Sequence, residues 1–491
     1  DGGLILSRWG DCRVSMFSYA VLHAAPLRSI RRVDGAGGRT RSKRGYRERV
    51  NVIPFIIGIL IIVVGLGVSI ALHEIGHLVP AKKFGVRVGQ YMIGFGPTLW
   101  SRRIGETEYG VKLLPLGGYI SMAGMYPPSP AAADGDGKAG AGFFKAMVQD
   151  ARAANDETLQ GDDDNRVFYK LPVYKRVIIM LGGPVMNLLF AGVLFTVLFS
   201  GIGIAGSTTT VASLSECVVP AGTTQTECGP GDTPAPANAA GFRPGDVIES
   251  IDGVEIDTFA QASAIIRDAP NAPLQVTVLR AGEPQVLTLT PTLAEREKLD
   301  AAGRPIIGAD GKIETVEVGF AGISPMTGLI RQPIWAGAVA TGENVGAVAG
   351  IIVQLPEKLY NVAVSLFTGA ERDPNGPLSV VGVGIIAGEV ASMDVPLMNR
   401  IGGVVGLLAS LNIALFVFNL LPLLPLDGGH VIVALWEGVK RVWARIFGLA
   451  APKPVDATKL VPVTFIVVVA LVVMGGLLIA ADIFNPVDLF G

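Results

Sequence analysis

Charge is scarce in this 491-residue sequence: Asp, Glu, Lys and Arg make up 17% of it, against about 25% in soluble proteins. That deficit argues against a cytosolic enzyme and for surface in contact with lipid, and the mean hydropathy of +0.49 agrees. Neither sign dominates. Lys plus Arg number 40 and Asp plus Glu 42, a net charge of -2, which excludes a broadly basic nucleic-acid binder. Cysteine is rarer still. Cys12, Cys217 and Cys228 are too few for a disulfide-dense scaffold or a Cys-rich zinc finger.

What the sequence does have is long apolar runs. A bilayer core takes roughly 20 apolar residues of helix, and four stretches qualify: 52–72, 177–205, 401–426 and 461–481. The third is interrupted by Asn412, Asn419, Pro422 and Pro425, yet it carries no charge before Asp427. A weaker stretch, Ile334 to Leu355, contains Glu343 and is followed by Glu357 and Lys358, which fits an amphipathic helix on or beside the membrane. The expectation is therefore a polytopic α-helical membrane protein with four transmembrane helices.

The loop after the first span holds Lys82, Lys83, Arg87, Arg102, Arg103, Lys112, Lys170, Lys175 and Arg176, and the loop before the last holds Lys440, Arg441, Arg445 and Lys453. The excess of Lys and Arg places both loops in the cytoplasm, and segment 207–400 then faces outward. Residues 1–50 contradict this orientation with eleven Lys and Arg. They are read as a basic leader, not native or disordered, with a true start near Met16 or Val50. Residues 127–165, rich in Pro, Ala, Gly and Asp, read as a flexible insertion.

The sharpest local signal is His73-Glu74-Ile75-Gly76-His77 at the end of the first span. Positions i and i+4 share a helix face, so both imidazoles reach one metal while Glu74 sits beside them as a general base. The plain alternative is two polar residues at a helix end. Burying His, Glu and His in an apolar span without a ligand is costly, which favours function. A catalytic zinc takes a third protein ligand. Asp427 and His430 are the candidates at membrane depth, and by chemistry alone either can bind; Asp427-Gly428-Gly429 also reads as a turn after a proline-terminated helix.

His73-Glu74-x-x-His77 in a first span with Asn419-x-x-Pro422-x-x-x-Leu426-Asp427-Gly428 in a late one resembles the site-2 protease family of intramembrane zinc metalloproteases. The resemblance extends to Gly183-Pro184-x-x-Asn187 and to the loop from Gly94-Phe95-Gly96 through Tyr109 and Val111 to Tyr119. It implies a Zn2+ cofactor held by His73, His77 and Asp427, with Glu74 as base and His430 as a neighbour. The matching chemistry is metal-assisted peptide hydrolysis in a lipid bilayer. The substrate would be a single-span membrane protein, such as an anti-sigma factor already trimmed by an upstream site-1 protease. A substrate helix hides its carbonyls and must unwind. The strand-like stretch Glu108 to Leu114, flanked by Gly94, Gly96 and Gly117-Gly118, is expected to form a membrane-associated β hairpin whose edge holds the unwound segment. Tyr109, Val111, Asn187 and Asn419 are the further candidates for substrate contact, with interhelical packing the alternative for the two amides.

Between the second span and residue 330 the composition turns β-rich. Ala239-Ala240-Gly241-Phe242-Arg243-Pro244-Gly245-Asp246 through Asp252-Gly253-Val254 resembles a bacterial PDZ signature, giving an inserted extracytoplasmic PDZ domain at 207–330, with Gly319 to Ile323 a candidate carboxylate loop. Cys217 and Cys228 lie eleven apart in this outward segment, where either a disulfide or two free thiols is permitted. The remaining divisions are 52–126 for the first helix and its β loop, 166–206 for the second helix, 331–400 for an amphipathic linker, and 401–491 for the last two helices. The rival reading is an inactive PDZ-bearing membrane scaffold with a metal site; an intact Glu74 between the histidines argues against it.

Overall fold

The computed structural model describes residues 51–125, 165–218, 232–298, 313–450 and 460–487, with isolated positions between them. The leader 1–50 and nearly all of the insertion 127–165 lie outside the described residues. The chain divides into two units, a β-rich one at 202–332 and a helical one formed by the segments on either side.

In the helical unit, α1 (Val52–Lys83) is a single 32-residue helix. It stays apolar as far as Leu72 and then carries the histidine pair in its last third. Lys82 and Lys83 favour the negative end of its dipole. Gly85, at φ +84°, closes the helix with Gly85 N–H donating to Lys82 O and Val86 N–H to Ala81 O. The chain then enters β1 (Val88–Ile104) and β2 (Thr107–Met122). These strands curl back on themselves. Gln90–Ile93 pair with Gly118–Ser121 on one side and with Glu108–Val111 on the other, while Glu108–Val111 pair again with Trp100–Arg103. Gly94 and Gly96, at φ +93° and +84°, make the bend in β1 that this requires.

α2 (Val173–Thr196) runs on into a π turn at Val197–Ile202. Beyond the β-rich unit the chain forms α5 (Ala336–Val353), α6 (Leu355–Thr368) and α7 (Val380–Ser392), once α3 (Pro236–Ala239) and α4 (Phe259–Asp268) of that unit are counted. The region 331–400, expected as an amphipathic linker, contains these three helices. α7 is seated on α1, with Gly58 against Ala387 O and Gly388 against the Phe55 ring. α8 (Leu397–Asn419) stops short of the expected span end, because Pro422 and Pro425 disfavour helix in the residues before them. α9 (Asp427–Ile446) then starts at Asp427, and α10 (Val461–Phe484) is last.

By length and composition, five of the described helices are apolar enough to cross a membrane: α1, α2 with its π turn, α5, α8 and α10. The sequence reading counts four. The stretch around Glu343, expected to lie on or beside the membrane, forms α5, in which Ala340, Thr341 and Asn344 are buried. Ala340 shares a core with Ala191 and Phe195 of α2 and Ala409 and Ile413 of α8.

The β-rich unit contains β3 (Ile204–Leu214), β4 (Val247–Ile251), β5 (Val254–Glu255), β6 (Leu274–Arg280), β7 (Glu283–Leu289), β8 (Thr292–Glu297), β9 (Thr315–Phe320) and β10 (Ile323–Ile330). The main sheet runs β10-β3-β4-β6-β7 with β5 beside β4, and β8 pairs with β9. Asp252-Gly253 and Ala281-Gly282 all have positive φ, which joins β4 to β5 and β6 to β7 by tight hairpins. Thr258 and Gln261 form a capping box on α4. Phe242, Ile248, Ile251, Ile266, Val276, Val278 and Leu289 fill the core, each side chain contributing about 1.5–3 kcal/mol by burial. Cys217 and Cys228 are joined in a disulfide.

Candidate metal centre

The site is built where α1, α2 and the start of α9 meet. α1 and α2 approach closely because Gly76 and Gly182 face each other, and a β-carbon on either would collide with the other's carbonyl oxygen. A β-carbon on the next residue, Gly183, would strike both the His77 and His73 rings, so its absence is the space the rings occupy. α9 enters tightly for the same reason. β-carbons on Gly428 and Gly429 would collide with the backbone of Leu420–Leu424, so the Asp-Gly-Gly sequence lets the helix start directly against the preceding turn. Further along, Glu437 of α9 pairs with Arg176 of α2 at 3.0 Å, both buried, and also with Arg441.

These contacts bring three ligand-type side chains together. His73 Nε2 lies 3.3 Å from Asp427 Oδ2, His77 Nε2 lies 3.4 Å from Asp427 Oδ1, and the two Nε2 atoms are 3.2 Å apart. Zinc bonds of 2.0–2.2 Å in a tetrahedron set neighbouring ligand atoms about 3.3 Å apart; one ligand atom from each of the three residues lies within 4.8 Å of the others, a set that small side-chain rotations bring onto one zinc. The donor chemistry fits too. Asp427 Oδ2 is a buried acceptor with no hydrogen-bond partner, and two imidazole nitrogens this close need a proton or a cation between them. Among the described residues these three form the one group of His, Cys, Asp and Glu that could hold a metal. His430 sits one turn along α9 and is not in that group.

Around the ligands, His77 Nδ1–H donates to Ile179 O at 2.8 Å, and Asn187 Nδ2 is 3.2 Å from His73 Nδ1. Glu74 is 7% exposed. Gly118 of β2 passes over it so closely that a β-carbon there would lie 2.9 Å from Glu74 Cγ.

The structure redistributes the expected substrate contacts. Tyr109 and Val111 are paired on both sides within the sheet, so their backbone is not an edge. Tyr109 OH instead accepts from Lys82 Nζ at 2.8 Å, tying β2 to the end of α1. Among the described residues, Gly118–Ser121 pair on one side only, which makes them the edge beside Glu74. Gly94 and Gly96 shape the bend, Asn419 ends α8, and Asn187 faces a histidine. Sequence reasoning missed Gly118 as the residue over Glu74 and Ile179 as the partner of His77. A backbone carbonyl leaves no mark in a sequence.

A His-Glu-x-x-His helix closed by a carboxylate from a second helix, among helices apolar enough for a bilayer, defines a membrane zinc metalloprotease. The sequence profile of Peptidase family M50 matches residues 61–448, and the chain belongs to that family, the site-2 proteases. It is similar to the zinc metalloprotease Rip1 of Mycobacterium tuberculosis, 33% identical over 442 residues that cover 89% of this chain and 99% of that protein. Rip1 of Mycolicibacterium smegmatis is 32% identical over 451 residues, with the same coverage. The metalloprotease MmpA of Caulobacter vibrioides is 29% identical over 403 residues, 79% of this chain and 89% of that protein. The cofactor is accordingly zinc.

Proposed function

We propose that this zinc metalloprotease cleaves a peptide bond within or near the transmembrane segment of a membrane protein, using His73, His77 and Asp427 as zinc ligands and Glu74 as the general base. The observation that carries this reading is the position of the ligand cluster along the apolar helices. At 1.5 Å per residue, His73 lies roughly 30 Å from the start of α1 and about 14 Å before Lys82, while Gly183 lies about 10 Å from Arg176. The site is thus about 10–14 Å inside a boundary marked by basic residues, and that basic side is the cytoplasmic one.

When bound, zinc polarises the scissile carbonyl and lowers the pKa of a water. Glu74 takes that water's proton and returns it to the leaving amine. Gly118–Ser121 offer unpaired backbone groups beside Glu74, and a substrate that has left its helix adds there as a further strand. This edge takes the role expected of Glu108–Leu114, with Gly94, Gly96, Tyr109 and Val111 shaping it.

The β-rich unit is read as an extracytoplasmic PDZ domain. Its hairpins, its capped helix α4 and the Ala321-Gly322 link between β9 and β10 support that reading. It would limit access so that a single-span protein, an anti-sigma factor for example, enters only after a site-1 protease has trimmed it, as in regulated intramembrane proteolysis in the cell membrane. The test is reconstitution with a membrane-span substrate. Cleavage is expected for the wild type and not for Glu74→Gln, and equal cleavage by both would refute the assignment.

A further inference from the structure

α2 braces each imidazole of the metal pair separately. Ile179, Gly183 and Asn187 are spaced i, i+4 and i+8 and share one face of the helix. Ile179 O accepts the Nδ1 proton of His77, Gly183 leaves room for both rings, and Asn187 meets His73 Nδ1. The bond to Ile179 leaves the His77 Nε2 lone pair facing Asp427 and ready for a metal.

His73 is different. With amide Nδ2 placed toward Nδ1, the ring would have to accept at Nδ1 and carry its proton on Nε2, the atom beside Asp427; the orientation of the amide is an assignment that the hydrogen-bond network decides. Binding a metal through Nε2 needs the other tautomer, and Nδ1–H would then confront an N–H donor. Asn187 is 1% exposed, and its Oδ1 has no partner. A half-turn of the amide exchanges Oδ1 and Nδ2 within almost the same outline. It gives the buried carbonyl a donor and the Nδ1 proton an acceptor in one movement.

We propose that Asn187 is a positioning residue of the metal centre: its side-chain oxygen accepts a hydrogen bond from His73 Nδ1–H and so presents Nε2 to zinc, as Ile179 O does for His77. Asn187 then serves a ligand and not the substrate. The role depends on an acceptor and not on volume, unlike helix packing. It rests on His73, His77 and Asp427 being the zinc ligands.

The measurement is the zinc affinity of the full chain, by competition with a chromophoric chelator for Zn2+ in the absence of substrate. Asn187→Leu preserves volume and removes the acceptor, and it should weaken zinc binding about 10- to 100-fold. Asn187→Asp keeps an acceptor and should remain close to wild type. Wild-type affinity in Asn187→Leu overturns the role, as does the reverse order of the two variants. In a His73→Ala background Asn187→Leu should add no further loss, and a full additional loss also overturns it. If the variants do not fold, zinc-loaded wild type carrying 15N-histidine still decides. His73 should ligate through Nε2 with Nδ1 protonated, and ligation through Nδ1 overturns the role. None of these readouts involves hydrolysis, so a chain that binds zinc as expected but cleaves nothing refutes the protease reading alone.

Discussion

Gly76 of α1 and Gly182 of α2 stand so close that each occupies the place of the other's β-carbon. The contact lies one residue from His77 and one from Gly183, so it sets the distance at which α2 holds the rings. Gly182→Val forces the helices apart at a cost of about 1–3 kcal/mol. The expected result is less zinc per chain and slower cleavage, measured by metal analysis and by a reconstituted assay. Gly67→Ala, also on α1 but with open space around its β-carbon, should leave both unchanged.

Asp427 sets Oδ2 3.3 Å from His73 Nε2 and Oδ1 3.4 Å from His77 Nε2, and among the described residues His430 is not in the group that could hold a metal. Asp427→Asn should therefore release bound zinc, whereas His430→Gln should retain it, with metal stoichiometry as the readout. Loss of zinc in the His430 variant alone would reverse the assignment of the third ligand.

The histidine pair was legible in the sequence because helical spacing alone puts His73 and His77 on one face. The third ligand was not, since Asp427 and His430 are both chemically suitable. The family resemblance favours Asp427, and the structure brings Asp427, not His430, into the group with His73 and His77 that could hold a metal. Helix α5 gives a weak apolar signal because it is made of small residues and carries Glu343, and its packing against α2 and α8 is a tertiary contact that local composition does not report. The sheet edge was misplaced for a topological reason. The bends at Gly94 and Gly96 bring Glu108–Val111 inside, and local alternation cannot report which neighbours a strand will acquire.

The last helix, α10, is fastened by an ion pair that sequence patterning did not flag. Arg372 and Asp482 side chains are each 1% exposed, and Asp482 Oδ2 also accepts from Ser379 N–H at 2.7 Å and Gly382 N–H at 3.2 Å at the start of α7. Asp482→Leu strands a buried guanidinium, a loss of about 3–5 kcal/mol. Thermal unfolding in detergent should show a lowered Tm, and Arg372→Met combined with Asp482→Leu should recover part of it.

In the β-rich unit, the Arg280 guanidinium holds the Asp246 carboxyl below the usual carboxylate range, helped by Arg243 N–H. A lowered folded-state pKa means that the stabilisation is complete above the ordinary carboxylate value and is lost as pH falls through the lowered one. Protection of the β4 and β6 amides in the full protein, measured relative to the intrinsic exchange rate at each pH, should therefore fall only in acid. Asp246→Asn should remove that pH dependence and speed exchange at neutral pH, consistent with losing a charged hydrogen bond of about 1.5–3 kcal/mol.

Gly118 offers a way to disturb the base without touching a ligand. A β-carbon there would lie 2.9 Å from Glu74 Cγ, 2.9 Å from Ile70 Cγ2 and 3.0 Å from Met92 O. The Met92 oxygen is backbone of the adjoining strand segment and cannot yield by a rotamer change, so a bulky side chain must push Glu74 or lift the strand. Either movement separates the proposed base from the edge proposed to hold the substrate, and a displacement of about 1 Å at a reacting group can lower the rate about 100-fold. Gly118→Val should therefore retain zinc and lose cleavage, the same signature as Glu74→Gln. Gly89→Ala, in the same sheet but with its nearest atoms 3.9 Å away, should retain both. Loss of zinc in Gly118→Val would show instead that the sheet supports the ligands, and full activity would show that the chain does not act at this edge.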